Sequence, residues 1–215
     1  MQQIISRGAL ALLACLIIQP AIGQETPAPD ALPDYPRVEV KTNMGNFTVE
    51  LFTARAPLTV KNFISYVEAG YYEGTVFHRI VPGFVIQGGG YDAEYKKKAT
   101  RDTVTNESGN GLSNRRGFLA MARTSDPHSA NSQFYINLGD NVALDPRPTR
   151  WGYTVFGRVV EGLDSIDQIG YIKTGPGPVP ELTKDVPVEP VIITKMTMVA
   201  PVESSSEAPP PAPEQ

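Results

Sequence analysis

The sequence predicts a mainly β domain, a barrel or a sandwich with two helices, on three observations. Short runs of alternating apolar and polar residues recur along the chain, Gly- and Pro-rich connections separate them, and only two stretches have helical spacing. Taken in order, Arg37 to Thr42 alternates, Asn43-Met44-Gly45-Asn46 is turn-like, and Phe47 to Leu51 alternates again, which makes a first hairpin. From Pro57 to Ala69, Val60, Phe63, Ile64 and Val67 recur at helical spacing, with Pro57 suited to the first turn and Gly70 to the stop. Thr75 to Ile80 and Phe84 to Gln87 read as strands. Pro82-Gly83 between them suits the centre of a type II turn, where Pro sets the first φ and Gly permits a positive second one. Phe118 to Ala122, Ser132 to Asn137, Thr154 to Val159 and Val191 to Val199 are further strands, and Leu163 to Ile169 is a second, short helix. There is no regular βαβ alternation and no internal repeat.

Composition restricts the function. A chain of 215 residues with 41% hydrophobic residues can bury one core, so one folded domain is expected. A net charge of -4 supplies no basic stripe for nucleic acid, and Lys96-Lys97-Lys98 reads as a solvated loop. Residues 1–23 resemble a secretory signal: Arg7 precedes the apolar run Ala9 to Ile18, Pro20 breaks it, and Ala21-Ile22-Gly23 offers small residues for cleavage. That run is shorter than the about 20 residues needed to cross a bilayer, so no stable membrane insertion is expected. The expected location is the periplasm or the exterior. The competing reading takes Leu12-Leu13-Ala14-Cys15 as a lipidation box that anchors the protein through Cys15, but the apolar run continues past that point. Cys15 is the only cysteine, so the processed chain would hold no disulfide, cysteine nucleophile or thiolate metal site. Residues 24–36 read as a flexible linker and residues 201–215, PVESSSEAPPPAPEQ, as a disordered tail, which leaves 37–200 for the folded domain.

The usual catalytic signatures are missing. His78 and His128 are the only histidines, no HExxH or Gly-x-Ser-x-Gly motif exists, and Gly88-Gly89-Gly90 lacks the Gly-Lys-Ser/Thr of a phosphate loop. The informative run is Phe77 to Gly90, which sets Arg79 and Gln87 among large apolar residues. Alternation puts Val85 and Gln87 on one face, an adjacent antiparallel strand can add Arg79 to it, and His78 points the other way as a packed structural residue. His128 lies in a polar loop and is expected to be solvated. An enzyme built from these parts must run a reaction that needs neither nucleophile, base nor metal.

Four segments in this order and spacing resemble the cyclophilin peptidyl-prolyl isomerases, most closely their bacterial periplasmic branch. They are Phe77 to Gly89, Gly117 to Arg123, Asn131 to Ile136 and Val155 to Val159. The resemblance implies a closed eight-stranded antiparallel β-barrel capped by two α-helices, with the substrate groove on its outer face. It also implies that Arg79 is the catalytic residue. Phe84, Val85, Tyr135 and Leu144 would hold the proline ring, Tyr153 would close one side, and Gln87 and Gln133 would orient the guanidinium and the peptide. Ala122 and Arg123 would offer backbone hydrogen bonds to an extended substrate, and the long Arg123 side chain would favour acidic residues beside the proline. Strand alternation does not support Phe84, whose place rests on the resemblance and on its position at the turn. The partners implied are proline-containing polypeptides, met by a monomer without cofactor or metal. Where the best-known eukaryotic members carry a tryptophan and a pocket histidine, this chain has Ala143 and Tyr153, so weak cyclosporin binding is expected. A second reading, a proline-peptide binding module or chaperone with incidental turnover, competes with the isomerase.

Overall fold

The computed structural model describes residues 35–199. The expected leader, residues 24–34 of the linker, Ala200 and the tail lie outside the described residues.

The first hairpin forms where the alternation places it, as β1 (Arg37–Thr42) and β2 (Gly45–Leu51). Val38 and Val40 of β1 and Phe47, Val49 and Leu51 of β2 face the core. On the opposite face Glu50 is buried by two arginines: Arg37 and Arg158 each donate two hydrogen bonds to its carboxylate, at 2.9 to 3.2 Å. Such forked pairs hold three adjacent strands together with fixed geometry.

Helix α1 (Pro57–Glu68) begins with proline at its first turn and ends before Gly70, whose φ is +64°. It has no side-chain cap of its own. Instead Glu107, from a distant loop, accepts the Leu58 and Thr59 backbone N–H groups at 3.1 and 2.8 Å and the Thr59 hydroxyl at 2.7 Å. A carboxylate there satisfies unpaired donors and faces the positive end of the helix. The helix buries Val60, Phe63, Ile64 and Val67, and the Phe63 ring packs 5.1 to 5.4 Å from the rings of Tyr72, Phe134 and Phe156.

The remaining elements are β3 (Arg79–Val81), β4 (Val85–Gly88), β5 (Phe118–Met121), β6 (Phe134–Asn137), β7 (Val155–Glu161), α2 (Leu163–Gly170), the short pair β8 (Thr174–Gly175) and β9 (Val186–Pro187), and β10 (Ile193–Val199). A single 3₁₀ turn spans Val142–Leu144. Ile166 and Ile169 of α2 join the same core as α1. The main sheet has eight antiparallel strands in the order β10-β1-β2-β7-β5-β6-β4-β3.

The expectation of a closed barrel is corrected. The sheet is an open half-barrel, because no ladder joins β3 to β10. The predicted strand Thr75 to Ile80 shortens accordingly: Thr75 and Val76 make only isolated bridges, to Asp92 and Ile192, and regular pairing starts at Arg79. The segment facing this gap carries Pro187 and Pro190, and a proline offers no N–H to a ladder. A few backbone bonds bridge the opening instead: Gly74 N–H to Ile193 O at 2.9 Å, Ile193 N–H to Thr75 O at 2.8 Å, Phe77 N–H to Val191 O at 2.9 Å and Ile80 N–H to Asp185 O at 2.8 Å. The pair β8–β9 was not foreseen, since two-residue strands leave no periodic signal.

Candidate active site

One register row across five strands assembles the site. Arg79 of β3 lies opposite Gln87 of β4, Gln87 opposite Tyr135 of β6, Tyr135 opposite Ala120 of β5, and Ala120 opposite Val155 of β7. Residues in register share a face. This is the outer face, and Val85, Ala120, Tyr135 and Val155 form a buried apolar floor on it, separate from the main core.

The β3–β4 turn adds a wall. Gly83 has φ +70° and the Phe84 N–H donates to Val81 O at 2.9 Å, which closes the turn that Pro82-Gly83 predicts. Pairing resumes at Val81 opposite Val85. Phe84 therefore belongs to the turn and not to the ladder, so strand alternation does not govern it. Its ring packs against the apolar floor together with Ala122, Leu144 and Tyr153. Sequence alternation opposed this placement; the turn geometry removes the objection.

The guanidinium is tied at three points. Arg79 Nη1 donates to Gln87 Oε1 at 3.4 Å, and Gln87 Nε2 donates to Gln133 Oε1 at 3.1 Å, so the two glutamines form a relay. A Cβ on Gly90 would fall 2.6 Å from the Gln133 side chain, which explains a glycine here without any phosphate. Arg79 Nε lies 3.8 Å from the Asp185 carboxylate, and its guanidinium carbon lies 5.9 Å from the centre of the Phe84 ring. The Arg79 side chain stays 36% exposed, so it can meet a ligand.

The opposite rim is held from below. Leu144 ends the 3₁₀ turn, and the Tyr153 N–H donates to Leu144 O at 3.1 Å. Beneath them the Tyr135 hydroxyl donates to Asn114 Oδ1 at 2.7 Å, and Asn114 donates through its backbone N–H and Nδ2 to Asp145, both at 2.8 Å. Burial first, then the nearby Tyr153 and Asp145, push the Tyr135 hydroxyl well above its usual range, so it remains a donor. The Tyr135 and Tyr153 rings meet edge to face at 5.9 Å.

Arg123 does not extend freely. Its guanidinium donates to Thr124 O, Trp151 O and Gly152 O at 2.8 to 3.2 Å and stacks 4.5 Å over the Tyr153 ring. It thus forms a fixed cationic rim. The Ala122 N–H is paired with Gln133 O at 3.0 Å. Trp151 lies half exposed against His128, whose Nδ1 accepts the Asn106 N–H at 3.2 Å.

Phe84, Val85, Ala122, Tyr135, Leu144 and Tyr153 thus pack in one apolar cluster on the outer face, with Gln87, Gln133 and Arg79 along one side of it and Arg123 stacked on Tyr153 at another. Leu112, Ala120, Asn114, Asp145 and Asp185 belong to the same arrangement and were missed. Ala120 was findable, two residues before Ala122 on one strand. Asn114, Asp145 and Asp185 sit in irregular loops without period. Among the described residues no three His, Cys, Asp or Glu side chains converge to hold a metal ion.

Comparison with known proteins agrees in extent and in kind. The family model for cyclophilin type peptidyl-prolyl cis-trans isomerases matches residues 37–198. The chain is 49% identical over 156 residues to a peptidyl-prolyl cis-trans isomerase of Acinetobacter baylyi, covering 73% of this chain and 81% of that one. It is 46% identical over 164 residues to peptidyl-prolyl cis-trans isomerase B of Escherichia coli, covering 75% and 98%. A crystal structure of a cyclophilin type isomerase from Cryptosporidium parvum superposes with a TM-score of 0.64 at 25% identity, covering 78% of this chain and 99% of that one. The same parasite protein was solved in the presence of the dipeptide Ala-Pro, with a TM-score of 0.63 at 26% identity, covering 77% and 99%.

Proposed function

This chain belongs to the cyclophilin-type peptidyl-prolyl cis-trans isomerases, and we propose that Arg79 carries the reaction by hydrogen bonding to the proline nitrogen as the Xaa-Pro bond twists. The bond resists rotation by roughly 18 to 20 kcal/mol because nitrogen donates its lone pair into the carbonyl. Twisting ends that donation, and the pyramidal nitrogen becomes a better acceptor. A permanently charged guanidinium aimed at it stabilises the twisted state more than the planar one. A differential of about 3 to 4 kcal/mol supplies a factor of roughly 10²–10³.

The observation that carries this reading is the tethering of Arg79 beside the outer apolar cluster, by the Gln87–Gln133 relay on one side and Asp185 on the other. A donor held in advance loses little freedom at the moment of reaction. The proline ring sits between Phe84, Val85, Leu144 and Tyr153 with Tyr135 beneath. The peptide on either side follows the Ala122 carbonyl and the Gln133 side chain in extended form. A module that only bound prolines would gain little from a cation held beside the reacting nitrogen. Arg79→Ala should therefore lower kcat/KM by about 10²–10³ with peptide affinity changed less than about threefold, measured by exchange spectroscopy.

The substrates we propose are exported polypeptides, on the strength of the signal-like residues 1–23, and the slow uncatalysed interconversion of Xaa-Pro bonds is the reason such an enzyme is needed. Ala143 is exposed, and its side chain supplies neither an aromatic surface nor an N–H donor. Cyclosporin should accordingly inhibit weakly, and nanomolar inhibition in a protease-free assay would overturn that expectation.

A further inference from the structure

The described chain ends on a row of residues that leads to the site. Val199 of β10 pairs with Arg37, Arg37 with Glu50, Glu50 with Arg158, and Arg158 with Phe118 of β5. Phe118 packs on the apolar floor beneath the pocket. Four strand spacings of about 4.8 Å put Val199 roughly 19 Å along the sheet from Phe118, and Ala120 is about 7 Å further on.

Beyond Val199 the sequence continues into a segment that matches the pocket in length, chemistry and charge. Pro209 lies ten residues past Val199 and Pro213 fourteen, so the extended chain spans at most about 36 and 50 Å. Either exceeds the distance to be covered. The segment reads Glu207-Ala208-Pro209-Pro210-Pro211-Ala212-Pro213-Glu214, with two Ala-Pro steps flanked by acids and no Lys or Arg from Pro201 onward. The pocket's rim is cationic: Arg79 stands at one edge, Arg123 at the other, and the exposed Arg147 and Arg150 follow Leu144. Two carboxylates lie nearby: that of Asp145 is taken up by Ser113 and Asn114, and that of Asp185 lies 3.8 Å from Arg79 Nε.

We propose that the Ala208-Pro209 and Ala212-Pro213 steps occupy the proline pocket of their own chain, so that the enzyme carries an internal competing substrate. This rests on the pocket assignment above. A tether of this length gives a local concentration in the millimolar range, enough to compete even if each Ala-Pro step binds weakly. Acidic residues beside the prolines would face Arg123 and Arg150, which makes the competitor and an acidic client rivals for one rim.

The test compares the chain as isolated, a form ending at Ala200, and a full-length form with Pro209, Pro210, Pro211 and Pro213 all replaced by alanine. Turnover of an Ala-Pro peptide and the backbone amide signals of Val85, Ala122 and Tyr153 are measured for each. The expected result is a KM lower by about 2- to 10-fold in both altered forms with kcat unchanged, and amide positions that shift equally in both and do not depend on protein concentration. Equal KM values and unmoved amides in active proteins would overturn internal docking, and shifts that grow with protein concentration would assign the contact to a second copy and overturn it too. If all three forms lack turnover, the isomerase assignment of Arg79 fails, while the amide shifts still decide whether the tail docks.

Discussion

Two register rows one residue apart divide the labour of this sheet. On the outer face run Arg79, Gln87, Tyr135, Ala120 and Val155; on the inner face run Ile80, Ile86, Ile136 and Leu119, each 0 to 1% exposed. The same backbone hydrogen bonds serve both rows. Alternation alone turns one into packed core and the other into a polar relay over an apolar floor. The two rows should therefore respond to substitution in different observables.

Ile86→Ala should produce the largest stability effect, a loss of about 2 to 5 kcal/mol from the removed side chain and the cavity left behind. Turnover per folded molecule should stay within about twofold. Denaturant unfolding alongside a rate assay checks both, and a large fall in kcat at unchanged folded fraction would break the division between the rows.

His78 sharpens it, because it is buried just before Arg79, off the outer row, with its ring 4.7 Å from that of Tyr91. Burial lowers its pKa from 6.5 to about 4, opposed by a backbone hydrogen bond to Val76 and helped by a smaller push from Arg79, and its Nδ1 has no partner among the described residues. The unfolded chain therefore takes up the proton first as pH falls. Stability should be full above about pH 6.5, decline through the window between that value and about 4, and lose roughly 3 kcal/mol in all from this group. Unfolding curves for wild type and His78→Gln across that window test this, and parallel slopes would exclude His78 as the source.

Gln87→Ala tests the outer row from the other side. Without the relay the guanidinium is less well aimed, so kcat should fall by about tenfold, near 1.4 kcal/mol, with KM little changed. Stability should move by less than about 1 kcal/mol because the side chain is only partly buried. A rise in KM alone would make Gln87 a peptide contact and nothing more.

Much of this division was legible in the sequence. β1 runs over the predicted residues, α1 starts at the predicted proline, and the convergence of Arg79, Val85 and Gln87 follows from period two and one antiparallel turn. Alternation alone does not support Phe84 beside Val85, and the structure shows why: Phe84 lies in the turn before β4, where the ladder's alternation does not apply. Closure of the barrel failed where Pro187 and Pro190 deprive the last gap of donors, and Thr75 and Val76 look like strand in sequence while lacking a continuous partner. Asp185 and Asn114 could not be found at all. Each acts through tertiary approach of a loop: Asp185 is carried to Arg79 by a backbone bond to Ile80, and Asn114 is fixed between Tyr135 and Asp145.

The central claim is that Arg79 acts on the twisted bond and not on binding. Two-dimensional exchange NMR on one Ala-Pro peptide reports both quantities in a single sample, the affinity from line shapes and the cis-trans rate on the enzyme from exchange. The account predicts that Arg79→Ala leaves affinity within about threefold while slowing on-enzyme exchange by about 10²–10³. Equal exchange rates in the two proteins at equal affinity would contradict it.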